Sequence, residues 1–287
     1  MRHAKLGEVR VGGGNPVAIV GAINVGPESF YGGSVVRGKA EAVKRASAML
    51  EEGARIIDVG AMSTAPGAKP ISTSLEMRRL IPVVKALAKE LDAPISVDTQ
   101  RAAVAEAALA AGAKIVNDVS GLKADPKMAR VISSFGCSTV LMAANERPGD
   151  AKSIGEIINA LRGSLRICEL SGIDERKVVV DPGIGFGKGA EWDLHILVNL
   201  GKLRILGRPI CVAVSRKSFI GSVLGLPDPA DRLWGSLAAA AIAVLEGADV
   251  VRTHDPKETS HAVRIAEAIR SAGAKVKRLG GERGSAR

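Results

Sequence analysis

The stretch that decides the fold reads Glu52-Gly53-Ala54-Arg55-Ile56-Ile57-Asp58-Val59-Gly60. Gly53 is placed to end a helix, and the apolar run Ile56–Val59 that follows is typical of a β-strand. The same Glu-Gly-Ala order returns at residues 246–248, again just before an apolar run. The chain therefore contains a repeated unit in which a helix ends at a glycine and a buried strand follows.

Eight short runs rich in β-branched residues recur along the chain, and helical patterns separate them. Continuous apolar runs suit parallel strands that are covered on both faces. Eight strand–helix repeats over roughly 250 residues predict an α/β fold of the (β/α)8 TIM-barrel type, with an open doubly wound sheet as the alternative. The predicted strands are Val17–Ala22, Ile56–Val59, Ile95–Val97, Ile115–Val116, Thr139–Met142, Val178–Val180, Ile210–Val214 and Val250–Val251. The clearest helical patterns are Ala40–Glu52, Leu75–Glu90, Ala102–Ala110, Ile154–Ser171, Ala230–Glu246 and Lys257–Ala272.

The whole chain, residues 1–287, is predicted to form one domain, because no segment is rich enough in Pro, Gly or Ser to act as a linker. Residues 1–14, which end in three glycines, are expected to form a short hairpin that plugs the bottom of the barrel. The basic segment 275–287 also contains three glycines and is expected to fray.

Composition excludes several classes of protein. The net charge of +10 permits nucleic-acid binding, but the positive charge is spread along the chain and aromatic residues make up only 2%. We therefore expect no nucleic-acid partner and an electrostatic field that attracts an anionic ligand. No apolar run is long enough to cross a bilayer, and the first residues lack a signal-peptide core. We therefore expect no membrane partner. The three cysteines have no zinc or disulfide spacing, which is typical of a reducing compartment and predicts a cytoplasmic protein.

Polar residues follow seven of the eight predicted strands. The active site of a (β/α)8 barrel lies at the C-terminal ends of its strands, so these residues should face one mouth. A single Asp or Asn at such a position commonly caps a helix, but seven together predict a functional site. The strand ends carry Asn24; Asp58 with Ser63 and Thr64; Asp98; Asn117; Asp181; Ser215-Arg216-Lys217; and Arg252-Thr253-His254, whereas the fifth strand ends in Met142-Ala143-Ala144.

Two groups of these side chains suit two kinds of ligand. Asp98, Asn117 and Asp181, with Lys217 opposite, form a donor–acceptor set for the edge of a polar heterocycle. The alternative is that Lys217 only neutralises Asp181. The second group suits an anion, with Mg²⁺ held by the oxygen of Asn24. Its members are Asn24, Thr64, Arg252 and His254, with Ser63 and Ser218 nearby.

These motifs resemble those of the dihydropteroate synthase family from about residue 17 to 273. The matching segments are Ala22–Phe30, Asp58–Gly60 with Ser63–Ala68, Ser96–Thr99, Val116–Gly121, Asp181–Lys188, Ser215–Gly221 and Arg252–Asp255. The resemblance implies a pterin-binding TIM-barrel transferase of folate biosynthesis. Its substrate would be 6-hydroxymethyl-7,8-dihydropterin pyrophosphate, from which para-aminobenzoate or a related arylamine displaces pyrophosphate.

The resemblance also implies a role for each matching residue. The pterin would be bound by Asp98, Asn117, Met142, Asp181, Phe186 and Lys217. Pyrophosphate and arylamine would be bound by Asn24, Phe30, Ser63, Thr64, Ser218, Arg252 and His254, with Mg²⁺ as the cofactor at Asn24. The residues expected to be catalytic are Asp98, Lys217, Arg252 and His254. Barrels of this type often pair through their outer helices, which gives a homodimer as an expectation.

Four positions depart from the motifs that this family usually has. The family usually has Thr at the position of Gly26, Asp near the position of Gly32 and Arg at the position of Ala65. It commonly has His at the position of Ala143. Loss of an arginine removes a bidentate anion contact, so the identity of the arylamine stays open and includes phosphorylated or ribosylated forms.

Two alternatives to the synthase follow from these departures and from the shared barrel. One is a pterin-dependent methyltransferase that acts with a corrinoid protein, and the other is a pterin-binding barrel without activity. The Ser215–Lys217 motif, Arg252 and His254 favour the synthase.

Overall fold

Ten strands are present in the computed structural model, which describes residues 3–26, 31–63 and 68–284. The first two form a separate antiparallel pair, and the other eight form one parallel sheet. The strands are β1 (His3–Leu6), β2 (Val9–Gly12), β3 (Ala18–Asn24), β4 (Ile56–Gly60), β5 (Ile95–Asp98), β6 (Ile115–Asp118), β7 (Ser138–Met142), β8 (Val178–Asp181), β9 (Cys211–Ala213) and β10 (Val250–Thr253).

The parallel sheet closes into a barrel in which strands follow one another in chain order. The first and last of its strands, β3 and β10, pair directly, with Val251 opposite Ile19. A parallel bridge between Val180 and Ile210 joins β8 to β9. The predicted TIM barrel is therefore confirmed and the open doubly wound sheet is wrong. Each predicted strand lies within two residues of the observed one at either end.

The hairpin formed by β1 and β2 fills the lower end of the barrel. Its apolar side chains share one buried cluster with barrel residues such as Val20, Ile56 and Val250. Ser138 Oγ at the start of β7 donates to the Lys5 carbonyl at 2.8 Å and ties the hairpin to the barrel. Because this end is filled, a ligand that binds inside the barrel enters from the other end. The four hairpin residues in the cluster are Ala4, Leu6, Val9 and Val11.

Helices cover the outside of the barrel and bury the outward-facing side chains of the strands. The sequence patterns identify six of these helices but not the shorter α4, α6 and α7. The helices are α1 (Lys39–Glu51), α2 (Thr73–Glu90), α3 (Ala102–Ala110), α4 (Met128–Phe135), α5 (Ile154–Leu170), α6 (Ala190–Val198), α7 (Ser218–Leu224), α8 (Leu233–Leu245) and α9 (Pro256–Gly284). None of the described helices is both long and apolar enough to cross a membrane.

The last helix, α9, continues to Gly284 and so includes residues 275–284, for which the sequence predicts fraying. Residues 285–287 lie outside the described residues.

We expect Leu6→Ala to lower the free energy of unfolding by about 2–5 kcal/mol, because Leu6 is 1% exposed in the plug and its loss leaves a cavity. Leu170→Ala is the matched control, since Leu170 is 71% exposed on α5, and should change stability by less than about 0.5 kcal/mol. Chemical denaturation followed by circular dichroism measures both. Equal changes would show that the hairpin adds nothing to the barrel core.

Candidate active site

One cavity of about 380 Å³ opens at the C-terminal ends of the strands. Every described residue of the two predicted groups lines it, although Asn24 and His254 come from opposite ends of the chain. Phe30 and Thr64 lie outside the described residues. The lining residues that the sequence predicts are Asn24, Ser63, Asp98, Asn117, Met142, Asp181, Phe186, Lys217, Ser218, Arg252 and His254.

A network of charged groups forms the floor of this cavity. Arg252 on β10 donates from Nε to Asp58 Oδ2 at 2.7 Å and from Nη2 to Asp98 Oδ2 at 3.3 Å. Asn117 Nδ2 donates to the same Asp58 oxygen at 3.4 Å. Burial lowers the pKa of Arg252, but the two carboxylates together raise it by more, so the guanidinium stays charged. Asp58 is a member of this network that the sequence marks only as a polar strand end.

Asp98, at the end of β5, has one carboxylate oxygen that no described protein group contacts through a hydrogen bond. Burial raises the pKa of this carboxyl to about 7, although Arg252 lowers it. Its Oδ1 is buried and has no hydrogen-bond partner among the described residues. A buried oxygen without a partner is costly, so this atom is suited to accept a hydrogen bond from a bound ligand.

Lys217 is held beside an aromatic ring by the loop that follows β8. Its Nζ lies 4.1 Å from the centroid of the Phe186 ring, which is a cation–π distance. Gly185 has φ +79°, and a Cβ there would lie 2.5 Å from Lys217 Cδ, so only glycine lets the loop pack on the lysine stem. Burial lowers the pKa of Lys217 to about 8, while Asp181 raises it.

Asp181 ends β8 on the same side of the cavity as Lys217. Its Oδ1 accepts a hydrogen bond from the Gly183 N–H at 2.6 Å. Burial raises the pKa of Asp181, although the Gly183 N–H and Lys217 lower it. In the part of the chain that the structure describes, Asp181 and Lys217 form no ion pair within 4.0 Å. The alternative that Lys217 only neutralises Asp181 is therefore not favoured.

His254 follows β10 on the other side of the cavity. Its Nδ1 lies 3.1 Å from Ser215 Oγ, and its ring meets Tyr31 edge-on with centroids 5.5 Å apart. Burial and then the nearby Arg252 lower the pKa of His254 to about 3, so the imidazole is neutral at pH 7. A neutral imidazole among cations can take up a proton when an anion binds.

Arg216 is the residue of the Ser215–Lys217 motif that faces the scaffold instead of the cavity. It has φ +57°, and its Nε and Nη2 donate to the Asp255 carboxylate at 2.9 and 2.8 Å. Its Nη1 donates to the Pro229 and Ala230 carbonyls, and its guanidinium lies 4.4 Å from the Tyr31 ring centroid. Arg216 therefore holds in place the segment after β9 that carries Lys217 and the segment after β10 that carries His254.

Asn24, at the end of β3, is oriented to present an oxygen. Its Nδ2 donates to Ser34 Oγ at 2.7 Å, which leaves Oδ1 for other contacts. Gly60 lies between Asn24 and Asp98 in the sheet, and a Cβ there would be 3.7 Å from Asn24 Oδ1 and 3.8 Å from Asp98 Oδ2. Asn24 Oδ1 thus lies near the Asp98 carboxylate at the strand ends, and an amide oxygen is a ligand that a hard cation takes.

Comparison with known proteins identifies relatives over most of the chain. A family model described as "Pterin binding enzyme" matches residues 20–254. The dihydropteroate synthase of Synechocystis sp. is 37% identical over 271 residues, which cover 92% of this chain and 94% of that protein.

Solved structures agree over nearly the whole chain. A Yersinia pestis dihydropteroate synthase with a sulfonamide drug complex has a TM-score of 0.86 at 35% identity and covers 94% of this chain and 99% of that one. A Xanthomonas albilineans dihydropteroate synthase with 4-aminobenzoic acid has a TM-score of 0.83 at 33% identity and covers 93% and 97%. With the family match and the Synechocystis relative, these likenesses show that the chain belongs to the dihydropteroate synthase family of pterin-binding enzymes.

Proposed function

We propose that this chain condenses 6-hydroxymethyl-7,8-dihydropterin pyrophosphate with para-aminobenzoate or a related arylamine and releases pyrophosphate, a step of folate biosynthesis. The observation that carries the proposal is that both groups of side chains face one cavity. The Xanthomonas relative that holds 4-aminobenzoic acid supports an arylamine as second substrate. The Synechocystis and Yersinia relatives are synthases, which favours this reaction over a corrinoid-linked methyltransferase.

The pterin is assigned to the side of the cavity that Asp98, Asn117, Asp181 and Lys217 form. Asp98 Oδ1 is open to an N–H donor, and Lys217 can donate to a ring carbonyl or nitrogen. Met142 and Phe186 wall the flat ring, Met142 from the end of β7 and Phe186 from the loop after β8. As pyrophosphate leaves, positive charge grows on the methylene carbon, and the Asp98 carboxyl group is placed to stabilise it.

The pyrophosphate is assigned to Arg252 and His254 with the neighbouring groups of Asn24, Ser63 and Ser218, and to Thr64 by the resemblance alone. The bond that breaks joins the methylene carbon to a phosphate oxygen, and the bond that forms joins that carbon to the arylamine nitrogen, which loses a proton. Arg252 and His254 neutralise charge on the leaving group. Phe30 is assigned to the arylamine side by the resemblance alone.

Mg²⁺ is part of this proposal, with Asn24 Oδ1 as the protein ligand. The described residues contain no group of three or more His, Cys, Asp or Glu side chains that could hold a metal. Mg²⁺ is commonly held by one or two protein oxygens together with substrate phosphates and water, so a single amide oxygen at this place fits it. When bound, Mg²⁺ would supply charge neutralisation to the leaving pyrophosphate.

Two wider features belong to the proposal. The three cysteines are free and buried, which supports a reducing, cytoplasmic location. Large apolar side chains on α7 and α8 are exposed, and such patches mark interfaces. We propose that a second copy of the chain covers them in a homodimer, the commonest symmetric assembly. The exposed residues are Val223, Leu224, Trp234, Ile242 and Leu245.

Purified protein should release pyrophosphate only when the pterin pyrophosphate, Mg²⁺ and an arylamine are all present. The panel of arylamines should include para-aminobenzoate and its phosphorylated and ribosylated relatives, because Gly26, Gly32 and Ala65 alter the second-substrate side. Product is detected by mass spectrometry. Well-folded protein that forms no product with any arylamine would overturn the proposal.

Pyrophosphate binding should take up a proton at His254. The pKa of His254 is about 3 in the free protein, and a bound anion raises it, so affinity should increase as pH falls through the raised pKa of the complex towards about 3. Calorimetry in buffers of different ionisation enthalpy measures the uptake, and His254→Gln should lose it. Protonation of pyrophosphate itself contributes equally to the experiments with wild type and variant. If the variant takes up as many protons as the wild type on binding, the assignment of the proton to His254 is contradicted.

Trp234→Glu should convert the homodimer to a monomer. Trp234 is 76% exposed on α8, and a charge there cannot be buried without cost. Leu170→Glu, at a leucine 71% exposed on α5, should leave the assembly unchanged. Analytical ultracentrifugation distinguishes the two states. A wild-type protein that sediments as a monomer would remove the dimer from the proposal.

A further inference from the structure

Asp58 is a buried carboxylate that the proposed chemistry does not use. It lies within β4 and is 1% exposed. It does not line the cavity but borders a small void directly beneath it, together with Asn117 and Arg252. Asp58 is therefore one layer below the ligand, in contact with two residues that do line the cavity.

The first of these contacts orients Arg252. The guanidinium is planar, and its Nε contact to Asp58 at 2.7 Å and Nη2 contact to Asp98 at 3.3 Å hold that plane from two sides. If Asp58 carried no charge, Arg252 would be attracted to Asp98 alone. A closer pair between Arg252 and Asp98 would then compete with the ligand for the oxygens of Asp98.

The second contact sets the direction of the Asn117 amide. A carboxylate only accepts hydrogen bonds, so Asn117 turns its Nδ2 towards Asp58 Oδ2 at 3.4 Å. The Oδ1 of Asn117 is then the atom available to the cavity. Asn117 is paired with Asp98 in adjacent strands, and both residues line the cavity. Each of the two residues therefore has an oxygen available to accept a hydrogen bond there.

We propose that Asp58 is a positioning residue for the pterin. By holding Arg252 and Asn117, it keeps the oxygens of Asp98 and Asn117 available to the cavity as hydrogen-bond acceptors, which selects a ring edge that carries N–H donors. This inference rests on the proposed function, because the molecule positioned is the pterin of that reaction. Asp58 itself does not touch the reacting atoms.

Asp58→Asn tests the proposal with little change of shape. The new amide can donate, so the Asn117 amide no longer has a fixed direction. We expect the KM for the pterin pyrophosphate to rise about 10- to 100-fold, while the KM for the arylamine changes less than about 3-fold. Steady-state kinetics with each substrate varied separately measures the split. An equal rise in both KM values would overturn the proposal.

Glu76→Gln is the matched control. Glu76 is also fully buried and contacts an arginine, with Arg101 Nη1 at 2.6 Å, but it does not line the cavity. It should lower the thermal unfolding temperature without changing the KM for the pterin. A rise in that KM as large as the rise in Asp58→Asn would show that loss of any buried carboxylate has this effect, and would overturn the positioning role.

A double-mutant cycle separates positioning from general damage. If Asp58 acts through Asn117, then Asp58→Asn should raise the pterin KM at least about 3-fold less in an Asn117→Ala background than in the wild type. If the rise in pterin KM of the double variant equals the product of the rises in the two single variants, the proposal is contradicted. Should Asp58→Asn fail to fold, Asp58→Ser keeps an oxygen acceptor in a smaller side chain and goes through the same cycle.

Binding of 6-hydroxymethylpterin, measured by calorimetry, distinguishes this inference from the proposed function. Wild-type protein that binds the pterin but forms no product overturns the function alone. Wild-type and Asp58→Asn proteins that bind it equally overturn the role of Asp58 alone. Wild-type protein that does not bind it overturns both.

Discussion

The guanidinium of Arg252 is the group on which the site depends. It lies between the carboxylates of Asp58 and Asp98, both of which are almost completely removed from solvent. Two such carboxylates without a cation would repel each other, and removing one partner of a buried ion pair typically costs about 3–5 kcal/mol. Arg252 therefore allows two acidic groups to lie close together at the cavity floor before a ligand binds. The strand ends of the site are thus already ordered in the free protein.

The barrel fold makes this cluster of charged groups possible because the outer face of each strand packs against the helices, whereas the inner face lines the barrel interior. On β4, Ile57 and Val59 face outward and join the apolar cluster under the helices, whereas Asp58 and Gly60 face inward. Lower in the barrel the inward positions are apolar and meet the hairpin plug. Polar groups are therefore concentrated in the upper layers only. Stability comes from the outer face and the plug, which leaves the upper inner face for binding.

The sequence is sufficient to predict the strand–helix alternation, the mouth of the barrel and the polar strand ends that line it, but not other lining residues such as Met62 and Arg232. It is not sufficient to predict contacts between those residues. Asp58 is visible as a polar strand end, but its contact with Arg252 joins residues that are 194 positions apart in the chain. Arg216 and Lys217 are neighbours in one motif, yet the left-handed backbone at Arg216 directs one to the scaffold and the other to the cavity. A local pattern gives a residue's place on a strand, whereas its partner depends on how distant strands meet.

Two of the departures from the usual family motifs, Gly26 and Gly32, follow β3, and a third, Ala143, directly follows Met142 at the end of β7, whereas Asp98, Asn117, Asp181 and Lys217 match the motifs. Gly32 lies in a short turn where a Cβ would meet nothing within 4 Å, so lack of room does not explain the absence of a side chain there. The next glycine is different, because a Cβ on Gly33 would lie 2.5 Å from the hydroxyl of Tyr31. The Tyr31 ring occupies that space while it rests on Arg216 and meets His254. An aromatic ring thus packs against His254, on the side of the cavity that we assign to pyrophosphate and the arylamine, and it does so apart from the strand ends that we assign to the pterin.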